Sequence, residues 1–142
     1  VNQNLETLLK TADAIPEILV EFSETVKDAL TLRIGAVSSK DPHAVQFYLD
    51  EIDAATAEVS RLRADASYAQ ADVQHKMRCI QREYVTQPGL KVTQAERLYK
   101  IDQNHRELEA LLTKLVATVT YCDTVENLLK NKWFELKGKS RA

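Results

Sequence analysis

The stretch 42–87, PHAVQFYLDEIDAATAEVSRLRADASYAQADVQHKMRCIQREYVTQ, decides the fold. Val45, Ile52, Val59, Ala66, Val73 and Ile80 recur in it at an unbroken seven-residue interval. Tyr48/Leu49, Ala55, Leu62, Ala69, Met77 and Tyr84 fill the companion positions, so one apolar stripe follows a helical period. Lys76 stands where a d residue belongs, and the stripe drifts there from an a/d seam towards a/e. After Pro42 neither glycine nor proline interrupts the stretch, so a single helix about 65 Å long is expected. Asp41-Pro42 marks its start. The aspartate can cap free N–H groups, and a proline at the first helical position loses no hydrogen bond.

Working outward, 85–92 around Pro88-Gly89 reads as a turn, and Thr93-Gln94-Ala95-Glu96 has the form of a capping box. Leu98, His105, Leu112, Val119, Glu126 and Trp133 then repeat every seven residues, with Ile101, Leu108, Leu115, Cys122, Leu129 and Leu136 at the d positions. This predicts a second long helix over 93–137, ended by Gly138. A short loop between two long striped helices makes them antiparallel neighbours. Upstream, Leu5, Leu8, Leu9 and Ala12 predict a short helix over 4–14. Ile18, Leu19, Phe22, Val26, Ala29 and Leu30 predict another between Pro16 and Ile34, closed by Gly35. The expected fold is all-α, one domain over 1–142: a coiled-coil-like antiparallel hairpin with two shorter helices of 1–35 packed on one end. A hairpin is too thin to cover its stripes alone, so a homo-oligomer is expected, with Leu112, Val119, Leu129 and Trp133 as packing and oligomer positions. Trp133, with Phe134 and Leu136, is expected to close the open end.

Composition excludes other classes. Three glycines and three prolines in 142 residues are too few for a sandwich or barrel, which needs a turn about every ten residues. They also leave no glycine-rich phosphate loop. Cys79 and Cys122 are too few for a disulfide scaffold, and no Cys/His spacing suggests zinc. No apolar run approaches the roughly 20 residues of a membrane span, and Val1-Asn2-Gln3-Asn4 does not begin a signal peptide. A cytoplasmic protein without membrane contact is expected. His43, His75 and His105 are scattered, and Asp50, Glu51 and Asp53 lack a glycine-turned loop to hold a cation. Neither catalysis, a cofactor nor a metal is expected.

The net charge of −2 hides strong segregation. Residues 1–35 carry −3, 36–60 carry −4, 61–100 carry +4, 101–129 carry −3 and 130–142 carry +4. In a hairpin the basic C-terminal tail returns beside the acidic start of the long helix, where those charges can satisfy each other. The other basic block surrounds the Pro88-Gly89 turn. His75, Arg78 and Arg82 are spaced by three and four and share one outward stripe, with Lys76 alongside. Lys91, Arg97 and Lys100 face it across the turn, near Tyr84 and Tyr99. The six basic side chains make an anion-binding end, multiplied in a ring of subunits. The alternative reading is that they form ordinary solvated faces, with the tyrosines at the core boundary. His105 reads as a packed, hydrogen-bonded histidine, and both cysteines as small hydrophobes.

One further pattern lies in the second half. His75-Lys-Met-Arg-Cys-Ile-Gln-Arg-Glu-Tyr84 is a basic helix ending in tyrosine before a turn. The long helix that follows carries Ile101-Asp102, then Tyr121-Cys122, and ends in Leu128-Leu129-Lys130 through Lys137. In these features the stretch from Ala71 to Lys137 resembles the phage recombination mediator family typified by UvsY; the first 40 residues have no counterpart in it. The resemblance implies a ring-like oligomer that binds single-stranded DNA, helps displace the single-strand-binding protein and loads a RecA-like recombinase. It implies Lys76, Arg78 and Arg82 as phosphate contacts. The rival expectation is a structural or assembly protein, such as a phage virion or scaffold component, built on the same hairpin.

Overall fold

The computed structural model describes residues 18–140; the expected helix over 4–14 lies outside them. Helices α1 (Glu24–Thr31), α2 (Pro42–Val85), α3 (Val92–Ile101) and α4 (Gln103–Ser140) follow one another, with a 3-10 turn at Ile34–Ala36. Among the described residues there is no strand.

α2 forms as its sequence demands. The Asp41 carboxylate accepts the Ala44 N–H (3.1 Å), and Pro42 takes the first turn. Val45, Ile52, Val59, Ala66 and Val73 are all buried, and Ile80 partly so. Thr86 caps the far end, and the chain reverses through Gly89, whose φ of +84° lies in the left-handed region. α4 returns antiparallel to α2. Ser60 Oγ donates to Glu126 Oε1 (2.8 Å), Arg63 pairs with Asp123, and Gln81 Nε2 meets His105 Nε2 (3.0 Å), all in one register.

The second long helix is not continuous. It is broken at Asp102, which has extended backbone (ψ 127°). The cause is local: the Asp102 side chain accepts the His105 N–H (3.0 Å), capping α4, while its carbonyl accepts the first helical bond from Arg106 (2.9 Å). Aspartate is far better as such a cap than inside a helix. Two seam positions are lost as a result, leaving Leu98 37% and Ile101 70% exposed. The start of α3 also differs from expectation. Lys91, not Thr93, is its N-cap, and Gln94 Oε1 accepts the Lys91 N–H (3.2 Å). At the other end α4 runs through Gly138 to Ser140 rather than stopping at it.

Two apolar clusters hold the hairpin. At its open end Phe22, Val26, Ala29, Leu30 and Val37 pack on Val45, Leu49, Ile52, Ala55 and Val59 of α2 and on Tyr121, Cys122, Val125, Leu129 and Leu136 of α4, with Trp133 at the edge. Nearer the turn the buried set shrinks to Ala66, Val73, Met77 and Leu115, with Leu112 and Val119 partly buried against them. α1 is shorter than expected, with Ser23 as its N-cap, because the residues before it bond to the hairpin. Leu19 N–H donates to Thr118 Oγ1 (3.1 Å), and Ser23 Oγ donates to Glu58 Oε2 (2.8 Å). It also ends before Gly35, at Thr31.

The clamp at the open end gives two lysines of the basic tail partners other than the expected carboxylates. Lys132 is buried and donates to Leu32 O, while Lys139 donates to Ile34 O (2.7 Å) and Val37 O (2.8 Å). These lysines bond backbone carbonyls of the segment after α1, Ile34 O also accepting the Val37 N–H (3.1 Å), rather than carboxylates of α2. Burial pushes the Lys132 ammonium below its ordinary range. Beside the d line of Leu115, Cys122, Leu129 and Leu136, α4 also buries Thr118, Val125 and Lys132 on this flank, one residue before the expected a line.

Candidate nucleic-acid interface

The tip of the hairpin is built by the last turns of α2, the turn itself, and α3. Residues 75–101 carry six basic and two acidic side chains. All six, Lys76, Arg78, Arg82, Lys91, Arg97 and Lys100, are exposed. Arg78 and Arg82 lie one helical turn apart on α2, with His75 in the same stripe. Arg97 and Lys100 lie three apart on α3. Lys91 stands where the turn enters α3.

Their charges are not equally free. Lys76 pairs with Asp72 (3.0 Å) and Lys100 with Glu96 (3.0 Å), each one turn back on its own helix. The Glu96 carboxylate, by hydrogen bond and charge, holds the Lys100 ammonium above its usual range. Among the described residues no carboxylate lies within 4.0 Å of Arg78, Arg82, Lys91 or Arg97. Farther down the hairpin Arg63 pairs with Asp123, while Arg61, Arg106 and Lys130 are exposed and, among the described residues, likewise have no carboxylate within 4.0 Å. What sets the tip apart is the density of its cations, six beside two carboxylates over 75–101.

What joins α3 to α2 is a polar network that sequence reasoning missed. Tyr84 Oη donates to Asp102 Oδ2 (2.7 Å), bringing the Lys100 end of α3 against the Arg82 end of α2. The Tyr84 hydrogen bond comes first, and the His105 backbone N–H second, in holding the Asp102 carboxyl below its ordinary value of 3.8. The same bond, aided by burial, raises the Tyr84 phenol. His105 is buried as expected, facing Gln81 and stacked obliquely on Tyr99 (5.1 Å between centroids). Ala95 is the one buried residue of α3. The polar run Asp102-Gln103-Asn104, set between Ile101 and His105, was the available signal: it carries a good cap and poor helix formers inside an otherwise apolar repeat.

The tyrosines lie at the boundary, half-buried, with Tyr84 committed to Asp102. The expectation for Cys79 is corrected: it is exposed in the basic stripe, 3.7 Å from His75 Nε2, because its position on α2 faces away from α4. Cys122 is the small hydrophobe expected, and burial pushes its thiol up to about 11. Of the packing positions, Leu129 is fully buried and Leu112, Val119 and Trp133 partly so. Among the described residues no helix is long and apolar enough to cross a membrane, and no three metal-ligating side chains gather. The arrangement can bind anions through an array of guanidinium and ammonium groups on two helices. Comparison with protein-family models, curated proteins and solved structures gives no match to this chain.

Proposed function

We propose that this chain is a non-enzymatic recombination mediator that binds single-stranded DNA through the hairpin tip, as a homo-oligomeric ring, and promotes loading of a RecA-like recombinase in place of the single-strand-binding protein. The observation that carries the reading is the tip's excess of positive charge: Arg78, Arg82, Lys91 and Arg97 stand exposed with, among the described residues, no carboxylate within 4.0 Å. The resemblance of 71–137 to the UvsY-type family implies Lys76, Arg78 and Arg82 as phosphate contacts, and so shares Arg78 and Arg82 with this set. Binding would draw on counterion release, multiplied by the copies in a ring. With two partly buried tyrosines at the tip, base stacking would be secondary to phosphate contact.

The test is a titration of an oligonucleotide at several salt concentrations. Affinity is expected to fall steeply with salt. Replacing Lys76, Arg78 and Arg82 with alanine should lower the slope of log affinity against log salt by about 2, at about 0.7 for each phosphate no longer neutralised. No binding at low salt, or a slope indifferent to the three replacements, would sink the reading. Light scattering that finds a monomer at micromolar concentration would remove the ring.

A second reading, a structural or assembly protein, is favoured by a different observation. Tyr68 is 82% exposed, and Phe134 stands exposed at an apolar groove lined by Leu32, Ile34 and Leu128 at the open end, away from the basic tip. Side chains of that kind suit contact with another protein. Failure of the DNA titration together with self-association would leave this reading in place.

A further inference from the structure

α2 carries a second row of side chains, on the side turned away from α4. It runs from Phe47 to Val85 in steps of three and four residues, opposite the buried Val45, Ile52, Val59, Ala66 and Val73. Every member is exposed, so no other described element covers the row at any level; Phe47 is 57% and Tyr68 82% exposed. Its small members are Ala54, Ala57, Ala64 and Ala71. Its large ones include Arg61, Tyr68, His75 and Arg78, with Asp50 near the start and Arg82 near the end.

Turned end for end about a two-fold axis level with residue 66, the row fits itself. Tyr68 falls on the second copy's Ala64, and Arg61 on its Ala71. His75 falls on Ala57 and Arg78 on Ala54, so each of these large side chains meets an alanine. Asp50 falls on Arg82 and Phe47 on Val85, and symmetry gives every pair twice. The acidic start of α2 thereby lies over the basic end of a second α2. Other arrangements of the row lose this match. In parallel, Asp50, Arg61, Arg78 and Arg82 would each face their own copy, like charge on like. An antiparallel pair slid by one heptad puts Arg61 on Arg78 in one direction. In the other direction it puts Phe47 on Arg78 and Arg82 on His43.

We propose that two copies of this chain pair back to back through this face of α2, antiparallel and in that register. The seam is about 57 Å long, the rise of the helix from Phe47 to Val85. The pairing stands on the row alone. It has a consequence that rests on the DNA reading proposed above: Arg78 and Arg82 are then occupied by the second copy, so the pair and a bound phosphate backbone compete for one stripe.

Two measurements on the full chain test the pairing. In a Cys79→Ser background, which leaves only the buried Cys122, chains with Ala57→Cys and chains with His75→Cys should form a mixed disulfide when combined and mildly oxidised. Neither should cross-link to itself. Ready self-linking of Ala57→Cys, or no mixed disulfide, would overturn the proposal. In sedimentation equilibrium, Asp50→Arg and Arg82→Asp should each weaken the pair on the order of tenfold, and both together in one chain should restore it. A pair indifferent to these exchanges, or a monomer at micromolar concentration, would refute it. An oligonucleotide that binds should lower the yield of the mixed disulfide. Binding without that loss would overturn the competition. No binding at all would sink the DNA reading, and the competition with it, while leaving the pairing intact.

Discussion

The Tyr84 hydroxyl donates to the Asp102 carboxylate at 2.7 Å, joining the last turn of α2 to the break between α3 and α4. The same carboxylate caps α4 through the His105 N–H (3.0 Å). One side chain therefore ends one helix direction, begins the next, and ties both to the opposite arm. α3 is set by this bond and by the burial of Ala95, and with α3 go Arg97 and Lys100. Replacing Tyr84 with Phe should lower the melting temperature and weaken oligonucleotide binding, although no phosphate-contacting residue is altered. Circular dichroism melts and the titration above would check it; full binding with a lowered melting temperature would confine Tyr84 to stability.

Acid should act through the same bond. Asp102 is held below 3.8 in the folded protein, so as pH falls the unfolded chain takes up the proton first. The stabilisation is complete above 3.8 and is lost as pH falls through the lowered folded value. Asp102→Asn is expected to flatten that limb in urea melts taken from about pH 5 to about pH 2. An unchanged acid limb would show that another carboxylate carries it.

Gly89 and Gly138 should respond oppositely to alanine. A Cβ at either position meets nothing within 4 Å, so backbone conformation alone decides the sign. Gly89 has φ +84°, and Gly89→Ala should cost about 1–2 kcal/mol. Gly138 lies inside α4, and Gly138→Ala should add about 0.5–1 kcal/mol. Chemical denaturation of the two variants gives both values.

Leu129 and Ile101 both occupy d positions of the heptad repeat, yet only Leu129 is buried. Leu129→Ala is expected to cost about 2–5 kcal/mol. Ile101→Ala should change stability by no more than about 0.5 kcal/mol. A large loss at Ile101 in the same denaturation series would mean that the seam runs unbroken through Asp102.

The cysteines make a direct probe of packing. Cys79 is exposed, whereas Cys122 is fully buried with its thiol raised to about 11. Thiolate is the reacting form, so a maleimide at neutral pH should label Cys79 alone, and Cys122 only after unfolding. Mass spectrometry of native and denatured samples reads the outcome. Rapid native labelling of Cys122 would show that α2 and α4 part readily at that level.

Much of this molecule was legible in its residues. The seven-residue repeat from Val45 to Val73, the Asp41-Pro42 start and the Pro88-Gly89 reversal specify a helix, its beginning and its return. Each of these signals acts within a turn or two of backbone, so local chemistry suffices. The outward stripe of Arg78 and Arg82 was legible for the same reason. The break at Asp102 was not, because an apolar repeat through Ile101 and His105 favours continuity, and the tyrosine that rewards interruption lies eighteen residues away. Nor were the roles of Lys132 and Lys139, whose partners are carbonyls about a hundred residues earlier. Sequence by itself determined the two arms and the turn, since periodicity is a property of neighbouring residues. Tertiary structure decided which charges are spent in holding the open end and which remain free at the tip, since a buried donor takes whatever acceptor the fold brings to it.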